Sequence, residues 1–224
     1  MKTAIMVDGG FYLKQARKLF GEKTAAERAT ELLTYCHRHI PEDHSLYRIF
    51  FYNCPPSNKI VYHPLLKSSI NLGKSPLYKW TNAFHLALTS KRKVALRMGE
   101  LLEGSTGYII HPDALKRLCR KEITVDDLTE QDFYLDIQQK GVDMRIGLDI
   151  ASLAQKRLAD QIILIAGDSD FVPAAKHARR EGIDFILDPM WHTIKPSLNE
   201  HIDGLQSKVG KPPANQNDPL HKGG

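Results

Sequence analysis

The apolar positions of the chain fall into short runs that stop at carboxylates. Thr3–Val7 is one such run; it ends at Asp8, and Gly9-Gly10 then lead into helical spacing from Phe11 to about Phe20. Ile162–Ala166 is another, with the length and β-branched content of a fully buried strand. Gly167 breaks it, Asp168 and Asp170 follow, and residues 171–181 have helical spacing with Pro173 near the first turn. Between these runs, Ala29, Leu32, Leu33 and Cys36 recur at helical intervals and predict a helix over Ala25–His39. Leu46–Asn53 reads as an aromatic-rich strand closed by Cys54-Pro55-Pro56, and Gly182–Leu187 as a further strand. Strands alternating with helices predict a mostly parallel sheet covered on both faces.

The middle of the chain follows no such rhythm. Leu77–Leu102 reads as helical, and residues 104–135 mix turns with short segments, so about 57–135 is expected to be an insertion or long crossover within one domain spanning 1–206. Residues 207–224 are polar and rich in Pro, Gly and Asn, which predicts a flexible tail.

Composition narrows the class. With 42% apolar and 25% charged residues the chain can bury a core as a soluble protein. No apolar run reaches membrane-spanning length, and Asp8 interrupts the first one where a signal peptide would continue, so a cytoplasmic protein is expected. Cys36, Cys54 and Cys119 are scattered without metal or disulfide spacing and read as small hydrophobes. The net charge of +5 points weakly to a polyanionic partner.

The acids carry the chemistry. Asp168 and Asp170 stand at the carboxyl end of a strand just before a helix, where open α/β sheets bind ligands. Two carboxylates this close repel each other unless a cation lies between them, and oxygen ligands without Cys or His favour Mg²⁺ or Mn²⁺. Either acid would serve equally well as a helix cap. Asp143 opens a helix expected to run through Ala159, and Asp149 lies six residues further on, pointing in a different direction. Asp8, Asp143 and the Asp168/Asp170 pair thus come from three segments that a parallel sheet delivers to one crevice. Such a cluster suits divalent cations acting on a phosphoryl group.

In combination and order, VDGGFY, YNCPP, KGVDMRIGLDI and IAGDSDFVPAAKHARREG resemble the NYN domain, the LabA-like branch of the PIN-like nucleases. The resemblance covers most of residues 1–56 and 140–206, including the closing stretch PSLNEHID. It implies a three-layer α/β/α sandwich with a central mostly parallel sheet and a Mg²⁺- or Mn²⁺-dependent nuclease site, usually acting on RNA. By motif, that site comprises Asp8, Asp143, Asp168 and Asp170, with Asp149 as a fifth metal ligand. Two positions depart from the pattern: Gly10 stands where many members carry Asn, and Asn53 where an Asp is usual.

A nuclease needs cations for phosphates and aromatic faces for bases. Lys14, Lys140 and Arg145 flank the acidic motifs and are the preferred phosphate contacts; Ser169 and His192 complete the substrate-binding set. Lys91-Arg92-Lys93 reads as a solvated helix face or a second contact surface, and Trp191 as a stacking residue or a lid on the core. The reading is therefore a metal-dependent endoribonuclease whose partner is nucleic acid, RNA before DNA, with no membrane contact and a homo-oligomer left open. The alternative is a regulator that binds RNA or a nucleotide on the same fold without cutting. A haloacid-dehalogenase-type phosphatase is disfavoured, since it needs a second Asp two residues after the first and this chain has Gly10 there.

Overall fold

The computed structural model describes residues 1–102, 104 and 106–211. Its elements, in chain order, begin with β1 (Lys2–Asp8), α1 (Gly9–Phe20), α2 (Ala25–His37), β2 (Ser45–Asn53), β3 (Ile60–His63), β4 (Ser68–Asn71), α3 (Pro76–Thr89) and β5 (Val94–Met98). They continue with β6 (Glu100–Leu101), β7 (Gly107–Ile110), α4 (Pro112–Cys119), β8 (Phe133–Asp136), β9 (Gln139–Lys140) and α5 (Val142–Gln155). The last are β10 (Gln161–Ile165), α6 (Val172–Arg180), β11 (Asp184–Asp188), α7 (Pro196–Asn199) and β12 (Gly204–Leu205).

Six strands form one parallel sheet in the order β12-β11-β10-β1-β2-β5. Its two central strands, β1 and β10, are apolar along nearly their whole length because helices cover both faces. On one face Ala4, Met6, Phe50, Ile162 and Leu164 pack against Ile146 and Ile150 of α5 and Ala175 and Ala178 of α6. On the other, Ile5, Val7, Ile49, Phe51 and Ile163 meet Tyr12 and Ala16 of α1, Ala29 and Leu32 of α2, and Phe84 and Leu88 of α3. This is the three-layer α/β/α architecture expected from the sequence.

Chain direction across the sheet reverses between β1 and β10. From β1 the chain moves to β2 and then β5; from β10 it moves the opposite way, to β11 and β12. The carboxyl ends of β1 and β10 therefore bound the topological switch point, where connecting loops diverge and leave a crevice.

The middle segment departs from expectation. The helix predicted over Leu77–Leu102 ends at Thr89; the chain turns through Lys93 at a φ of 62° and continues as β5, a strand of the main sheet. Val94 and Leu96 pack on one core and Ala95 on the other, which is the two-residue period of a strand. Outside the sheet, β3 pairs with β4, β6 with β9 and β7 with β8, all antiparallel. His63 of β3 lies 4.3 Å from the Tyr108 ring of β7 and 5.4 Å from the Phe133 ring of β8. The ribbons are thereby tied to one another. The predicted tail is outside the described residues from position 212 onward. Before that, Ser207 donates to Asp188 at 2.9 Å, and the Val209 carbonyl accepts from Trp191 Nε1 at 2.8 Å. No helix among the described residues is long and apolar enough to cross a membrane.

Candidate active site

Asp8 ends β1 at the switch point. It is aligned with Tyr52 of β2 and faces the α5 layer, because alternate residues of β1 point to opposite faces. Its Oδ1 accepts the Phe11 amide hydrogen at 3.1 Å and so caps α1. The carboxyl is nonetheless pushed up to about 6, first by burial and then by the charges of Asp143 and Asp168, against the lowering effect of the Phe11 and Gly10 amides.

Asp143 reaches the same place from α5. Gly141 precedes that helix at a φ of 79°, a left-handed conformation costly to a side-chain-bearing residue. The turn sets Asp143 in the first helical turn. Its carboxyl is also raised, by burial first, then by Asp168 and Asp170. Asp143 is thus the acid whose field is felt by β1 on one side and by the segment after β10 on the other.

Asp168 and Asp170 are exposed, and Asp168 Oδ1 accepts the Asp170 amide hydrogen at 3.1 Å. Asp170 sits on the short 3₁₀ turn Ser169–Phe171 that leads into α6, and Asp168 immediately precedes it. The side chain of Ser169 lies outside the described ones. Gly167, just before, sits where a Cβ would come within 2.5 Å of Phe11 Cε2 and 2.9 Å of His192 Cδ2. Only glycine lets β10 pass this closely beneath the Phe11 and His192 rings, whose centroids are 5.9 Å apart edge to face. His192 is accordingly at the rim of the crevice. Trp191, beside it, is held by the Val209 carbonyl and serves as a clasp for the C-terminal segment.

Asp8, Asp143, Asp168 and Asp170 are therefore neighbours, whereas Asp149 is not brought to them. It accepts from the Tyr52 hydroxyl at 2.9 Å and from Arg97 Nε at 3.0 Å, further along α5 above the β2–β5 edge. Of the expected phosphate contacts, Lys14 is exposed on α1, one turn beyond Gly10, and Lys140 is exposed on β9 immediately before Gly141. Arg145 is engaged: it donates to the Gly141 carbonyl at 3.1 Å and stands 3.7 Å from Glu100.

Two further polar groups are given roles by the structure, Asp188, which the sequence reading passed over, and Asn53, which it noted only as a departure. Asp188 also ends a strand, yet its register with Ile165 turns it to the α1–α2 face. There it is fully buried, taking hydrogen bonds from the Tyr35 hydroxyl, from His39 Nε2 at 2.8 Å, from the Met190 amide at 2.7 Å and from Ser207. Asn53 is the other. Its Oδ1 accepts from the Cys54 amide at 2.8 Å, and its Nδ2 lies 3.2 Å from His85 Nε2. Burial lowers the His85 pKa and favours the neutral ring, whose Nε2 then accepts from the amide. Gly10 is the other departure, and a Cβ there would lie 3.5 Å from Asp8 Oδ1 in ordinary contact. The missing side chain leaves open space beside the acid.

The donor set is all oxygen, without His or Cys, which fits a hard divalent cation. The Asp8 and Asp143 carboxyls are raised by burial first and by their acidic neighbours second. Among the described residues, no three acidic, His or Cys side chains stand close enough to grip one ion as they are placed.

Residues 103–199 match the NYN domain family, in agreement with the resemblance seen in the motifs. The match takes in Asp143, Asp168 and Asp170 and begins beyond Asp8. NYN domains are generally nucleases on a PIN-like fold, so the match supports a hydrolase acting on nucleic acid. No curated protein matches the chain. A crystal structure of a protein of unknown function from Vibrio parahaemolyticus is similar over 91% of this chain and 90% of that one, at 14% identity and a TM-score of 0.43.

Proposed function

Taking the chain as an NYN-domain protein, we propose that it is a metal-dependent endoribonuclease that hydrolyses phosphodiester bonds at the β1–β10 crevice. The observation that carries this reading is the convergence at the switch point of Asp8 from the end of β1, Asp143 from the start of α5, and Asp168 and Asp170 from the segment after β10, where burial and then neighbouring negative charge push Asp8 up to about 6. A cluster of carboxylates built only for folding would be paired with cations; here Arg145, two residues after Asp143, is engaged by Glu100 and the Gly141 carbonyl.

In this reading Asp8, Asp143, Asp168 and Asp170 would hold one or two Mg²⁺ or Mn²⁺ ions. A cation held there would supply an acidified water as nucleophile and offset negative charge on the phosphoryl group. Asp8 is oriented by the Phe11 amide, which donates to its Oδ1. Asp143 is fixed by its place in the first turn of α5. Lys14 and Lys140 flank the crevice as phosphate contacts, and His192 stands over Gly167 at its rim.

The test is cleavage of end-labelled single-stranded RNA and matched DNA with Mn²⁺, Mg²⁺ or EDTA, using the wild type and Asp168→Asn. The expected result is metal-dependent cutting of RNA, lost in the variant while the fold is kept. A variant that cuts at the wild-type rate overturns the assignment. One observation favours a second reading, an RNA-binding regulator: Gly10 leaves no side chain beside Asp8 to orient water or substrate. Metal-dependent RNA retention without any product would select it.

A further inference from the structure

Next to the aspartate crevice lies a cavity of about 310 Å³ that the chemistry so far does not use. It opens between the start of α1, the Cys54-Pro55-Pro56 segment after β2, the start of α3 and the outer ribbons. Its walls are mostly apolar, lined by Leu13, Leu77, Tyr78, Leu135 and Ile137, with Thr81 and Gln139 among the polar lining residues. The cavity meets the crevice at Gly10, which lines it and whose Cβ position is 3.5 Å from Asp8 Oδ1. Lys14 and Arg17 stand on its rim. Arg17 is paired with Glu22 at 2.8 Å, while the exposed Lys14 has no ion-pair partner among the described residues.

We infer that this cavity takes one unstacked nucleobase of the RNA strand whose backbone runs past Asp8, and so sets the nucleotide preference beside the cleaved bond. The inference rests on the nuclease reading for the direction of the strand. Its size is at the lower end of small-ligand sites, roughly 300–1,000 Å³, and suits a single base better than a larger group. An apolar slot with an aromatic face and a few edge-reading polar groups is how proteins hold splayed-out bases of single-stranded RNA. The charge pattern agrees: a base enters the neutral slot while Lys14 meets its phosphate at the rim. Gly10 takes on a role here, because its lack of a side chain keeps the passage from crevice to cavity open.

The test measures binding of fluorescein-labelled A, U and C hexaribonucleotides by anisotropy in EDTA, where no cutting occurs. The full chain is compared with Tyr78→Ala, which removes the aromatic face, and Thr81→Phe, which fills the slot. The wild type is expected to favour one hexamer, and either variant to lose roughly five- to tenfold in affinity for it and to bind all three alike. Tyr78→Ala keeps the test decisive if the filled variant does not fold. Unchanged affinity and unchanged preference in Tyr78→Ala overturn the proposal. So does a matching nucleoside monophosphate that displaces the hexamer at equal concentration, which would make the slot a free-nucleotide site. Since the readout needs no cleavage, loss of the nuclease reading and loss of the base slot give different results: the first leaves the Tyr78→Ala effect intact, the second leaves cutting intact.

Discussion

Asp8 accepts the Phe11 amide hydrogen at 3.1 Å while burial, and after it the charges of Asp143 and Asp168, push its carboxyl up to about 6, so one side chain is both a helix cap and a member of a buried acidic cluster. The two roles separate by substitution. Asp8→Asn keeps a good cap and removes the charge, whereas Asp8→Ala removes both. The Asn variant should be more stable than wild type at pH 7.5 and inactive. The Ala variant should fall below the Asn variant by about 1 kcal/mol, the usual worth of a cap. Urea denaturation of the three proteins checks the order; an Asn variant less stable than wild type would remove the repulsion from the account.

The same group dictates a dependence on pH. The folded value of about 6 lies above the ordinary 3.8, so the folded state holds this proton more tightly than the unfolded chain. Its contribution is fully present below about 3.8 and is lost as pH rises through about 6. The gap between Asp8→Asn and wild type should therefore open between those values, reaching at most about 3 kcal/mol. Melting curves across pH 4 to 8 read this directly.

Cleavage should follow the opposite course. A carboxyl that keeps its proton is a poor ligand for a cation, so metal-dependent activity should rise as pH passes through about 6. Asp143, raised as well, steepens the rise. The Mn²⁺ concentration giving half-maximal rate, followed over pH 5 to 8, tests it, and a value that does not change with pH would exclude both acids from the metal site.

Asp149 is expected to matter for stability and not for cutting. Asp149→Ala strips the buried Tyr52 hydroxyl of its acceptor and should cost about 1–3 kcal/mol, most of it from Tyr52, since the Arg97 partner is largely exposed. Combining it with Tyr52→Phe should be less than additive. Cleavage falling with Asp149→Ala under conditions where the protein stays folded would restore it to the metal set.

Asp188→Ala should be the most destabilising of these changes, by about 3–5 kcal/mol, because it leaves Tyr35 and His39 buried without their acceptor. Urea titration of the variant gives the value, and a loss under 1 kcal/mol would mean the network relaxes around the gap.

How far the fold was readable follows from the range of the signals. The runs at Thr3–Val7 and Ile162–Ala166 declared strands because burial on both faces leaves them no polar positions, and the following Gly9-Gly10 and Gly167 declared turns. These are local effects, and with the helix spacing after each they were enough for a parallel α/β sheet and for placing Asp8, Asp168 and Asp170 at strand ends. The segment 94–98 was lost because a five-residue edge strand with basic neighbours has too few positions to separate a period of 2 from one of 3.6. Pairing with β2 settled it. The direction each acid faces was likewise beyond any local pattern. Asp8 and Asp188 both close strands, but Asp8 is level with Tyr52 and looks toward Asp143, while Asp188 is level with Ile165 and looks into the opposite core. A shift of one residue in register exchanges those faces. Register is set by neighbouring strands far apart in the chain, so only the assembled sheet decides which carboxylate is free for chemistry and which is consumed in holding Tyr35 and His39.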